Sequence, residues 1–98
     1  QWTPKRGQRL AIQQYSLLAA ALQALRPNGL CVYSTCSLNP VENDDVIEKL
    51  INRRGSSVEI ISRQFAIGEA TKYGWMIRPD LTNSGPIYFS IVRRAEHD

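Results

Sequence analysis

One residue in this 98-residue chain stands where a nucleophile could work: Cys36, in the stretch VYSTCSLNPVEND from Val32 to Asp44. An apolar run ends there in Ser34-Thr35-Cys36-Ser37, followed by Asn39-Pro40 and a segment rich in carboxylates. As a thiolate, cysteine attacks electron-poor carbon and forms a covalent intermediate that divides one hard step into two easier ones. As a thiol in apolar surroundings it is a small, inert core residue, and free cysteine is among the most buried residue types. The tripeptide alone leaves both readings open. A thiol with an ordinary pKa of ~8.5 is mostly protonated at neutral pH, so a nucleophilic role needs help from its surroundings. The positive end of a helix beginning near Pro40 is one candidate.

The other residues able to do chemistry have plainer readings. Cys31 falls inside the apolar run and reads as a core residue. The two cysteines form no CxxC and have no companion histidines, so neither a metal site nor a disulfide framework is indicated, and a reducing compartment fits best. The Asn39–Asp45 segment reads as capping and surface charge more than catalysis. Trp2 and Trp75 offer faces on which bases could stack, but packing is the stronger reading. His97 reads as a solvated side chain near the end of the chain.

These residues need elements to hold them. From about Arg6 to Leu25, Leu10, Leu17, Leu18, Ala21, Leu22 and Leu25 recur at helical spacing, which predicts a long helix with a packed Leu/Ala stripe. Pro27-Asn28-Gly29 ends it, with Asn-Gly suited to positive φ. Leu30–Tyr33 then reads as a short buried strand, with Cys36 just beyond it. Asn39-Pro40-Val41-Glu42 carries a cap, a proline at the first helical position and a glutamate able to reach back to the cap's amide, so a second helix is expected from there. Its inward stripe would be Val46 or Ile47, Leu50 and Ile51, and Gly55 breaks it. Val58–Ile61 reads as a strand, residues 63–78 as an irregular excursion with a short strand at Trp75-Met76-Ile77, and residues 83–86 as a turn. Ile87–Val92 is a last strand leading into Arg93-Arg94.

Helices between strands imply crossovers and a parallel sheet covered on both faces, while the step into the last strand lets that strand run antiparallel. A doubly wound sheet binds its ligands beyond the carboxyl ends of its strands, where Thr35 to Ser37 fall. The chain is long enough for one core. No apolar run approaches the roughly 20 residues that cross a bilayer, so no membrane role is expected. A net charge of +3, spread over dibasic pairs, permits a polyanionic partner without requiring one. The opening Gln1-Trp2 suggests sequence upstream.

The stretch STCS followed by LNPVEND, after LRPNGLCVY, resembles the nucleophile motif of the Fmu/Sun family of RNA cytosine-C5 methyltransferases, close to VYSTCSxxPxENE. The preceding helix and the GPIYFSIVRR strand are similar to the family's as well. The match covers most of the chain and is clearest from Leu25 to Leu50. Asp44 stands where the family commonly has glutamate, and Asn28 where it commonly has glycine. The ending, with YGWMIRP and GPIYFSIVRR, is more similar to the mitochondrial branch.

The resemblance implies an α/β fold, the C-terminal half of a Rossmann-like S-adenosylmethionine-dependent methyltransferase sheet with its last strand antiparallel, and residues 1–98 as the C-terminal part of one catalytic domain. It implies Cys36 as the nucleophile that adds to carbon 6 of cytosine, so that carbon 5 can take a methyl group from S-adenosylmethionine. The family's glycine-rich loop, ribose-binding acid and proline-cysteine motif are absent from these 98 residues. No cofactor-binding residue is therefore assigned, Cys31 does not take the releasing role, and the isolated segment is expected to be inactive. The implied partner is ribosomal or transfer RNA with its base unpaired or flipped out; Lys5, Arg6, Arg53, Arg54 and Lys72 are candidate contacts. The implied location is intracellular: the mitochondrion, otherwise cytoplasm or nucleus. A second reading, of a different class, is a non-catalytic RNA-binding or assembly module that keeps the fold.

Overall fold

The computed structural model describes residues 4–78 and 85–95, with the side chains of residues 4–6 left aside. Trp2, His97 and the Asn83-Ser84 part of the expected turn lie outside the described residues, as do the Lys5 and Arg6 side chains.

Helix α1 spans Pro4–Ala24 and strand β1 Leu30–Thr35, with Cys36 the next residue. Between them Asn28 takes φ of 68°, as the Asn-Gly pair predicts, and its amide donates to the Arg94 carbonyl at 2.8 Å. Helix α2 spans Asp44–Arg54 and ends at Gly55, whose φ of 54° suits glycine. Strands β2 (Val58–Ile61), β3 (Glu69–Ala70), β4 (Trp75–Ile77) and β5 (Ile87–Arg94) follow. The excursion thus holds the expected strand at Trp75, and β3 turns back to pair with it.

Strand β5 organises the sheet. Along one edge it pairs with β1, from Leu30↔Arg93 to Thr35↔Tyr88. Along the other it pairs with β2 through its C-terminal half and with β4 through its N-terminal half. All of these pairs are antiparallel, so β1 and β2 run parallel to each other with β5 between them. The expected β-helix-β crossover is therefore present, but among the described residues no two neighbouring strands are parallel, because the last strand occupies the gap. β5 is also two residues longer than expected, since Arg93 continues both ladders and Arg94 the one with β2.

Side-chain alternation decides where the core lies. Tyr33, Tyr88, Ser90 and Val92 point to the face covered by both helices, where they meet Leu18, Leu22, Ile47 and Leu50. Ile47, Leu50, Tyr88 and Val92 are wholly buried; burying an aliphatic side chain of this size is worth roughly 2 kcal/mol. The opposite face differs from the two-sided cover expected of the sheet: Leu30 and Val32 of β1 are half or more exposed, while Phe65 folds back edge-on to Trp75 and Phe89 at 5.5 and 5.1 Å.

The stripe expected on α1 is only partly the buried one. Tyr15, Leu18, Ala19 and Leu22 face the core, while Leu17 is 71% exposed and Ala21 is exposed too. Leu17 and Ala21 are one turn apart and border a trough with Cys31 and Val32. Two apolar stripes run along this helix, and the described residues cover one of them. On α2 the expectation holds: Val46, Ile47 and Leu50 are buried and Ile51 is half-buried.

Candidate nucleophile site

The site begins with Tyr33, whose alternation in β1 turns its ring into the core. Its hydroxyl donates to the Glu42 carbonyl at 2.6 Å, which tethers the strand to the turn that follows Cys36. Burial, and then the neighbouring Glu42 charge, push this phenol well above its ordinary pKa, so it remains a protonated donor.

Two residues later, Thr35 closes the strand. Its hydroxyl donates to the Asn43 side-chain oxygen and accepts from the Ser37 amide at 3.2 Å. The Asn43 side-chain nitrogen donates to the Ser37 carbonyl at 2.7 Å. The Ser37 hydroxyl donates to the Glu42 carboxylate at 3.2 Å and accepts from the Asn39 amide at 3.0 Å. Cys36 lies between two residues so held, exposed and with a free thiol.

This network changes the expected second helix. Asn39 does cap, accepting from the Val41 amide at 3.0 Å, and Pro40 does stand at the first position, but Pro40–Glu42 is a single 3-10 turn. Glu42 does not reach back to the Asn39 amide, because the Ser37 hydroxyl has taken that donor. The backbone breaks at Asn43 (φ −110°, ψ −105°) and α2 starts only at Asp44. Asn43 gives α2 no side-chain cap, since its carboxamide is spent on Thr35 and Ser37. The positive helix end placed by sequence at Pro40 thus lies at Asp44, with Asp44 and Asp45 in its first turn.

Asp44 fixes the end of α2 to the sheet. Its carboxylate accepts from Tyr88 Oη at 2.8 Å, Thr71 Oγ1 at 3.0 Å, and the amides of Lys72 and Tyr73 at 3.1 and 3.0 Å. The turn it grips needs Gly74, where any side chain would press into the Phe89 carbonyl. Burial and the Asp44 hydrogen bond hold the Tyr88 phenol above its ordinary pKa.

The described candidate RNA-contacting cations, Arg53, Arg54 and Lys72, are dispersed. Lys72 sits at the Asp44 end of α2 but pairs with Glu48 at 2.9 Å. Arg53 lies over the Tyr15 ring at 5.4 Å. Both it and Arg54 end α2, which runs back from the Cys36 side toward β2, so neither is brought to Cys36. Cys31 is half-buried against the core, and burial pushes its thiol up. Among the described residues no group of three or more metal-ligating side chains occurs, and no helix is long and apolar enough to cross a membrane.

Cys36 lies directly after β1, where the sequence placed it. Glu42 and Asn43, read in the sequence as capping and surface charge, are instead buried, at 6% and 2% exposed. Their adjacency to a proline-initiated turn was the available signal.

The family model for the 16S rRNA methyltransferase RsmB/F matches residues 2–92. The chain is 46% identical to the ribosomal RNA small subunit methyltransferase F of Shewanella amazonensis over 96% of its own length, and 33% identical to the 5-cytosine rRNA methyltransferase NSUN4 of Xenopus tropicalis over 94%. It spans 21% and 26% of those two relatives. Among solved structures it resembles a methyltransferase homolog protein from Pyrococcus horikoshii, with a TM-score of 0.81 at 25% identity, covering 95% of this chain and 33% of that one.

Proposed function

The chain belongs to the 16S rRNA methyltransferase RsmB/F family, and from that premise we propose that it is the nucleophile-bearing part of an RNA cytosine-C5 methyltransferase. One observation carries the assignment of Cys36: an exposed thiol directly beyond the carboxyl end of β1, in a turn whose two flanking residues are hydrogen-bonded to a buried asparagine.

The chemistry asked of Cys36 is addition. Its thiolate forms a bond to carbon 6 of cytosine, the C5–C6 double bond opens, and carbon 5 becomes enamine-like. S-adenosylmethionine is the methyl donor of the proposed reaction. Most of its site is proposed to lie outside this chain, whose sequence carries no glycine-rich loop after a strand. The part of the chemistry assigned here is the attack and, after the C5 proton has left, expulsion of the same sulfur to restore the ring.

The substrate class follows the relatives, which are named as ribosomal RNA methyltransferases and, in Saccharomyces cerevisiae, as a multisite-specific tRNA:(cytosine-C(5))-methyltransferase. Ribosomal or transfer RNA with an accessible cytosine is the proposed partner, in whichever compartment holds it: mitochondrion, cytoplasm or nucleus. The test is nucleoside mass spectrometry of small-subunit ribosomal RNA and transfer RNA incubated with the full-length protein and S-adenosylmethionine. 5-Methylcytosine should appear with the parent protein and not with Cys36→Ala; its absence with both, or presence with both, would refute the assignment.

A further inference from the structure

We infer that Asn43 is the positioning residue for the Cys36 thiol, working through the two residues that flank it; the inference rests on the nucleophile assignment above. Cys36 is exposed, and none of the described hydrogen bonds falls on its side chain. Its place in space is therefore set by its neighbours. Both are held by one carboxamide: Thr35 donates to the Asn43 oxygen, and the Asn43 nitrogen donates to the Ser37 carbonyl at 2.7 Å. The Ser37 amide closes the ring onto the Thr35 hydroxyl at 3.2 Å.

The chemistry of the clasp requires asparagine. One end must accept from a hydroxyl and the other must donate to a carbonyl, and the short planar amide offers both. Aspartate has the same shape but would face the Ser37 carbonyl with a second acceptor. Asn43 is itself fixed: it is 2% exposed, its amide donates to the Pro40 carbonyl at 3.0 Å, and its carbonyl accepts from the Val46 amide at 3.1 Å. Away from water such a network is stiff, and each member depends on the others. Addition to carbon 6 needs the sulfur in a near-attack position, and a misplacement of about 1 Å costs on the order of 100-fold in rate.

Single-turnover formation of the Cys36 adduct tests this in the full-length protein, with small-subunit ribosomal RNA transcribed with 5-azacytosine as the probe. Asn43→Asp is expected to slow the adduct step about 100-fold, with RNA affinity close to that of the parent and a lowered melting temperature, since a buried acceptor is left facing the Ser37 carbonyl. Thr35→Val, which removes the hydroxyl and leaves Asn43 untouched, should slow the same step, and Thr35→Ser should restore it. The double variant Thr35→Val/Asn43→Asp should be no slower than Asn43→Asp, because residues acting as one unit are not additive. Rates for Asn43→Asp and Thr35→Val within about threefold of the parent, or losses that merely follow weaker RNA binding, would overturn the inference. An undiminished adduct in Cys36→Ala would instead strike at the nucleophile assignment, so the two failures are distinguishable.

Discussion

The Tyr88 hydroxyl, on the core face of the central strand, lies 2.8 Å from the Asp44 carboxylate at the first position of α2. The bond locks the helix that follows the Cys36 turn to the strand that pairs with β1. Removing the donor alone leaves Asp44 three other partners, whereas removing the acceptor strands a hydroxyl at each of Tyr88 and Thr71 and two amides. Tyr88→Phe should cost about 1.5 kcal/mol and Asp44→Ala about 3 kcal/mol or more, measured by urea unfolding of the full-length protein. Equal costs would contradict this view of Asp44 as the hub.

A pH dependence follows from the pair beside it. The Lys72 hydrogen bond and charge, with help from Tyr73, hold the Glu48 carboxyl below its ordinary range, and Glu48 in turn raises Lys72. A lowered carboxyl contributes stability above its unfolded pKa, lost as pH falls through the folded value. A raised amine contributes below its unfolded pKa, lost as pH rises through the folded value. The pair therefore acts across the neutral range and fades at both ends, weakly, because it is exposed. Carbon-detected titration of Glu48 should show its midpoint rise toward the ordinary carboxyl range in Lys72→Ala; an unchanged midpoint would refute the pairing.

The two thiols should separate by reactivity. Burial raises Cys31, so its thiolate forms only at higher pH than usual, whereas Cys36 is exposed. Iodoacetamide at neutral pH is expected to label Cys36 first, with Cys31 following as the solution becomes more alkaline. Peptide mass spectrometry reads the order directly, and faster labelling of Cys31 at neutral pH would contradict it.

Much of this arrangement is legible in the chain itself, for reasons that differ by element. The breakers Pro27-Asn28-Gly29 and Gly55 mark where α1 and α2 stop, because positive φ is a local property. The position of Cys36 is readable because β1 is short and its apolar run ends at Tyr33. What local reasoning misses is set by distant partners. The segment from Asn39 looks like one capped helix, and it breaks at Asn43 because Thr35 and Ser37 compete for that side chain. Asp44 looks like surface charge, yet its partners Thr71 and Tyr88 are 27 and 44 residues away. The single Leu/Ala stripe read on α1 likewise divides in two, and only the partner elements decide that Leu18 is buried and Leu17 is not.

The central claim is that the Cys36 sulfur bonds to the cytosine ring. Its most direct test is to trap the full-length protein on RNA containing 5-azacytosine, digest the complex, and locate the nucleotide-bearing residue by tandem mass spectrometry. The expected result is a single adduct on Cys36, lost in Cys36→Ala. An adduct on any other residue, or one undiminished in Cys36→Ala, would contradict the account.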